Sequence, residues 1–366
     1  LKTLKDLNLE RNLLTGRIDT LHRCRKLRFL ALGENELTGS LTDSLLQQWS
    51  LLTDLDLSNN KLQGELPSEL FSMTLKVIDL HGNGFNGTIP DRHAANPALE
   101  FLALFGNQLT GTIGSNVEKL VNLRHLDLSR NKLEGDLPKH PIAKLVKLKY
   151  LFLAFNDKLN TGPIPPEWSS LTELVDLSLQ QTNRNGTIPG GLGLLQNLAM
   201  LDLQGNKLSG KIHSDIGNLP NLKFLLLKDN LLTGEFPVTL ASPLYLNTLL
   251  IDDNNIVGGM EQFCDQMPET LNTFVADDEF SCSCCTLQCN DSNSTCNNAS
   301  WFSQQDPVSN YQYHRVQYKF NDDDVIYPIT GKEESIQGFY DTFGMPTDQD
   351  LFQKYDGDEA IEGGGN

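Results

Sequence analysis

The chain has 366 residues, more than the roughly 250–300 that one packed core accommodates, so several domains or an elongated repeat are expected. Hydrophobic residues make up 39% and charged residues 21%, and no stretch approaches the ~18 uninterrupted apolar residues of a membrane span. With 29 basic against 47 acidic residues the net charge is -18, which argues against nucleic acid or an anionic membrane surface as the main partner, since both demand a basic face.

From the first residues the chain repeats itself. L-K-D-L-N-L-E-R-N-L-L-T-G-R-I from Leu4 matches L-T-D-L-D-L-S-N-N-K-L-Q-G-E-L-P from Leu52 and L-R-H-L-D-L-S-R-N-K-L-E-G-D-L-P from Leu123. It also matches L-A-M-L-D-L-Q-G-N-K-L-S-G-K-I from Leu198. No signal peptide opens the chain, and Leu1 already sits inside this pattern, so its start is expected upstream. The asparagine recurs at Asn12, Asn35, Asn60, Asn83, Asn107, Asn131, Asn156, Asn206, Asn230 and Asn254, with Thr182 in the remaining slot. Ten steps span 242 residues, a period of about 24, which gives about eleven coils.

Each slot has a physical reading. L-x-L is a short strand with leucines inward and variable residues outward. The asparagine amide bonds the backbone of neighbouring coils and forms a ladder where the chain turns. Glycine permits the next bend, and the proline of I-P ends pairing. One coil cannot bury its own leucines, whereas stacked coils can. Strands about 4.8 Å apart give an inner sheet roughly 50 Å long.

The L-x-G-x-I-P half of the motif resembles the plant-specific class of leucine-rich repeats, found in receptor-like ectodomains and in secreted inhibitors of pectin-degrading enzymes such as polygalacturonase. The resemblance covers about residues 1–276. It implies an α/β solenoid, a right-handed superhelix with a parallel inner sheet. Local departures are Asp157, inserted in the seventh copy, and Thr182 and Arg184, which replace Asn and Leu in the eighth. That coil is expected to be loosened or bent.

Residues 277–306 read as a cysteine-rich cap. Six cysteines crowd the end of the solenoid: Cys264, Cys282, Cys284, Cys285, Cys289 and Cys296. They allow three disulfides and fifteen pairings. Disulfides are preferred over zinc, because paired C-x-x-C knuckles and a cluster histidine are absent. The run C-S-C-C-T-L-Q-C resembles the C-terminal caps of leucine-rich-repeat proteins from diatoms and related algae. Cys24 is left over and reads as a buried free thiol. Sequons stand at Asn86, Asn185, Asn290, Asn293 and Asn298. The first two share the N-G-T-I-P position, which places them on one side of the solenoid. Together with the cysteines they point to a secreted or cell-surface glycoprotein.

Residues 307–366 form an acidic, extended tail. From Asp277 onward there are 17 acidic and 4 basic residues, a net of -13. Tyr311–Phe320 alternates, with Val316, Tyr318 and Phe320 on one face, and reads as a strand able to dock on a solenoid, preferably a neighbour's.

No catalytic motif, metal set or cofactor site is recognised, and the chain reads as a non-enzyme. His81 and His125 are expected to be solvated, and the recurring Asp56, Asp79, Asp127 and Asp202 read as the routine wording of L-D-L rather than an acid–base pair. The acidic runs read as solvated rather than calcium-binding. Coils five to seven are more informative. Their outward slots hold Phe101, Phe105, His125, Tyr150, Phe152 and Phe155, an expected exposed aromatic patch on the concave face. Phe101 and Tyr150 can equally pack between coils. Two functions fit. One is recognition of a protein or glycan ligand on that face. The other is head-to-tail self-assembly into an extracellular fibre, a homo-polymer linked through the tail.

Overall fold

The computed structural model describes residues 3–91, 96–277, 282–289, 318–320 and 326–328. Residues 1–291 make one compact unit and 292–366 a second, so the described part of the cap belongs with the solenoid.

In the first unit, thirteen strands form one parallel sheet, from Asp6–Asn8 to Leu287–Cys289. Eleven precede the asparagine or Thr182 slots. Thr273–Asp277 and Leu287–Cys289 add two more, so the sheet runs past the expected boundary at residue 276. From Asp6–Asn8 to Thr248–Leu250 the middle residue of each inner strand is apolar and in register with its neighbours, as in Leu102, Leu126, Leu151 and Leu177. This column is buried from Leu30 onward and ends on Phe274, which meets Phe263 edge-on at 5.4 Å. Phe236 meets Phe263 in the same way at 5.2 Å, so aromatic rings close this end of the leucine column.

Beyond each turn the chain forms a lateral strand. Five of these pair from Thr15–Arg17 to Gln108–Thr110, and four from Asn185–Gly186 to Asn255–Ile256. Between the two groups only single bridges remain, Gly135 to Leu159 and Gly162 to Arg184. The break falls at the sixth and seventh copies, of which the seventh carries the inserted Asp157. The opposite side carries single turns of helix, several of them 3-10, and there glycine is required by close approach. A Cβ on Gly193 would lie 2.2 Å from the Asp215 carbonyl oxygen of the next coil.

The expected asparagine ladder is present. Asn131 Nδ2 donates to the Leu104, Leu128 and Ser129 carbonyls at 3.0, 3.0 and 3.1 Å, and its Oδ1 accepts from Leu109 N–H at 3.0 Å. The eighth coil is not loosened inside. Thr182 and Arg184 are 0% and 1% exposed. Thr182 Oγ1 donates to the Leu179 carbonyl at 2.6 Å, and Arg184 Nε to the Thr182 carbonyl at 2.8 Å. Asn183 reaches back to the Asp157 carbonyl at 2.6 Å, and the Arg184 guanidinium donates to that of Asn160. Burial pushes the guanidinium down to about 10.

Cys264 is disulfide-bonded to Cys284 and Cys282 to Cys285, while Cys24 is a buried free thiol. The Cys289 side chain and Cys296 lie outside the described residues. In the second unit Tyr318–Phe320 pairs antiparallel with Ile326–Pro328. The expected strand Tyr311–Phe320 is present over Tyr318–Phe320. Val316 and the rest of that strand lie outside the described residues.

Candidate functional site

The sheet face opposite the leucines is built from the variable strand positions. Register stacks Phe101, His125 and Tyr150 in one row and Asp127 beside Phe152 in another. The His125 ring lies flat on Phe101, with centroids 4.2 Å apart. It is tilted against Tyr150 at 5.6 Å and meets Phe152 edge-on at 5.7 Å. Four of the six expected residues therefore form one cluster spanning three coils. Phe105 joins a different partner, stacking on His81 at 4.3 Å. Phe155 lies under the Arg130 guanidinium, 4.3 Å from ring centroid to Cζ. Its φ of 56° is left-handed, uncommon for a bulky side chain.

The expectation of an exposed patch is corrected. Phe101, His125 and Phe152 are only 3%, 4% and 2% exposed, and Phe105, Tyr150 and Phe155 are half-buried. Phe152 does point away from the leucine core, as its position between Leu151 and Leu153 requires. Rings from coils about 24 residues apart close around it. Burial, with a smaller contribution from Asp176, pushes the Tyr150 phenol up to about 12.

The solvated reading of the histidines also fails. His81 Nδ1 donates to Asp79 Oδ1 at 2.6 Å, and Asn59 Nδ2 donates to His81 Nε2 at 2.9 Å. The recurring aspartates cap the turns that follow them. Asp56, Asp127 and Asp202 accept from the backbone N–H two residues on, at Ser58, Ser129 and Gln204, at 2.9, 2.9 and 3.2 Å. Burial raises Asp56 well above the usual carboxylate range, with Asp79 adding repulsion, and pushes Asp127 up to about 7. These are turn-capping groups, which explains why D recurs before the second leucine. The D-x-H and D-L-S spacings carried that signal in the sequence.

Two sequon asparagines, Asn86 and Asn185, are exposed on lateral strands, away from the aromatic cluster's sheet. Asn290, Asn293 and Asn298 lie outside the described residues. Among the described residues no helix is long and apolar enough to cross a membrane.

The Leucine Rich Repeat family matches residues 51–73, 122–142 and 197–219, and each match contains one strand of the inner sheet just described. The chain folds as a leucine-rich-repeat solenoid. Receptor-like protein 43 of Arabidopsis thaliana is 34% identical over 119 residues, 32% of this chain and 16% of that protein. Receptor-like protein 41 of the same plant is 35% identical over 159 residues, 42% of this chain and 17% of that one. The chain thus spans about a sixth of the length of those relatives. A solved structure of the Arabidopsis receptor kinase HAESA, in complex with the peptide hormone IDA and the co-receptor SERK1, superposes with a TM-score of 0.66 at 30% identity. That match covers 75% of this chain and 46% of HAESA. The solenoid is accordingly similar to plant receptor-like ectodomains.

Proposed function

We propose that this leucine-rich-repeat solenoid is a non-enzymatic recognition module, secreted or on the cell surface, that binds a protein or glycan ligand on the sheet face opposite its leucines. The observation that carries the reading is the Phe101–His125–Tyr150–Phe152 cluster. Its rings are fixed against one another before any ligand arrives, which lowers the ordering entropy that binding must overcome. Phe155 supports it as a further half-buried ring, held under the Arg130 guanidinium. Disulfides near the C-terminus, and the similarity to receptor-like ectodomains, agree with an extracellular setting. Glycans at the exposed Asn86 and Asn185 belong to the same proposal, because sugars there leave the aromatic face open.

The test uses the full chain against a displayed library of short peptides, with a panel of neutral and acidic oligosaccharides in parallel. The wild type should enrich defined ligands, and Tyr150→Ala with Phe155→Ala should bind them at least tenfold more weakly with an unchanged melting temperature. Equal binding by the variant would overturn the reading. Head-to-tail assembly is the second reading. It draws on Asp6–Asn8, which has a sheet neighbour on one side only among the described residues. Long polymers in sedimentation would favour it; a monomer would count against it.

A further inference from the structure

One slot before each inner strand, the backbone forms a second unbroken ladder. The N–H of Arg28 donates to the Lys5 carbonyl, Thr53 to Arg28, Lys76 to Thr53, Glu100 to Lys76, Arg124 to Glu100 and Lys149 to Arg124. The same bonding continues through Val175, Ala199 and Lys223 to Asn247 and Asn272. Twelve residues are thereby aligned along one edge of the sheet, about 4.8 Å apart. Six are cations, Lys5, Arg28, Lys76, Arg124, Lys149 and Lys223, and only Glu100 is an anion. The unit as a whole has the opposite bias, 25 basic against 30 acidic residues over 1–276. All six except the half-buried Lys149 are exposed. Arg124 pairs with Glu100 at 3.6 Å, and among the described residues no ion pair engages the other five. The carboxylates one position on are the exposed Asp6 beside Lys5 and the buried Asp54 and Asp176, so with Glu100 four anions face six cations along this edge.

We propose that this row is a docking rail for an acidic peptide segment. The proposal rests on the recognition reading above and names its ligand class. Like charges kept in line on an acidic protein repel one another, and a row of partner carboxylates relieves that repulsion. The spacing selects the partner's backbone. Arg28, Lys76 and Arg124 are two coils apart, about 9.6 Å. A polyproline II segment advances about 9.3 Å in three residues and returns each third side chain to the same face. An ordinary strand returns every second side chain after about 6.7 Å and falls out of step. The matching ligand carries a carboxylate at every third position in a polyproline II conformation. Its other side chains then face the adjacent row that holds Phe101, His125 and Tyr150.

The probes are fluorescent (Pro-Pro-Glu)5, its (Pro-Pro-Gln)5 counterpart, and a peptide of the Glu composition with its acids clustered. With the full chain at low salt, the regular Glu peptide should bind at least tenfold more tightly than either control and weaken steeply as salt rises. Arg124→Glu with Lys149→Glu should remove that advantage while keeping the wild-type melting temperature, since both side chains lie outside the leucine core. Equal affinity for the Glu and Gln peptides, or full binding by the reversed variant, overturns the rail. Equal affinity for the clustered peptide overturns the spacing argument. Tighter binding by a uronic-acid oligomer than by the peptide overturns the peptide assignment. Loss of binding in Tyr150→Ala with Phe155→Ala, but not in the charge-reversed variant, leaves the recognition reading standing without the rail.

Discussion

The turns of the sixth and eighth coils do the same work with different chemistry. In the sixth, one buried amide, Asn131, serves three carbonyls and one N–H. In the eighth, Thr182 bonds one carbonyl of its own coil, Asn183 reaches back to Asp157, and the Arg184 guanidinium fills the leucine slot while bonding two carbonyls. What the solenoid requires is therefore that the turn's backbone groups be paired out of water, not that asparagine do it. The eighth coil keeps its lateral strand, Asn185–Gly186, paired with the ninth coil and joins the seventh only through the Gly162 to Arg184 bridge.

The comparison can be broken most severely at Asn131. Asn131→Ala strands the Leu109 N–H and takes one of two donors from the Leu104, Leu128 and Ser129 carbonyls, which keep Asn107 Nδ2, Asn156 Nδ2 and the Gly106 N–H; it should cost about 3 kcal/mol, read as a lower denaturation midpoint. A loss near 1 kcal/mol would mean that the single-amide turn is not the stronger design.

The second way is by pH, because the sixth coil holds Asp127 where the eighth holds Ser178. Burial raises Asp127 from the usual 3.8 to about 7, against the opposing Ser129 hydrogen bonds and the His81 charge and helped by Asp79. Between those values the folded chain holds a proton that the unfolded chain has released. Stability should fall as pH rises from about 4 to 7, by up to about 1.4 kcal/mol per pH unit, and level off above. Asp127→Asn should flatten this part of a melting-temperature profile; an unchanged slope would assign it to other groups.

The smallest effects belong to the eighth coil, where the work is shared. Arg184→Leu restores the repeat's own residue but leaves the Thr182 and Asn160 carbonyls short of a donor, and should cost about 2 kcal/mol. Thr182→Ala removes one bond and should cost about 1 kcal/mol. Chemical denaturation of both variants against Asn131→Ala sharpens the contrast: equal losses at all three sites would erase it.

The leucine rows, the asparagine ladder, the oxidised cap and the buried Cys24 were legible in the sequence because each depends on a repeating slot or a local cluster. The aromatic site was half legible. Its direction follows from alternation around Leu151 and Leu153, but its burial depends on rings one coil away, a separation no local pattern reports. For the same reason His125 and His81 were read as solvated. The disulfide partners needed geometry, since six cysteines leave fifteen pairings open. The turn of the eighth coil looked defective because the substitution at Thr182 is visible in the alignment, while the compensation by Asn183 and Arg184 is not.

The buried thiol of Cys24 makes the first described coils chemically addressable. It sits under the second inner strand, and the other cysteines whose bonding is described are already oxidised near the opposite end. In a stack where each coil touches only its neighbours, coils can open locally without the whole solenoid unfolding. The rate at which a small alkylating reagent reaches Cys24 in the native state is then a clock for local opening around that coil. It reads the opening free energy of the first coils separately from global unfolding, without an added label.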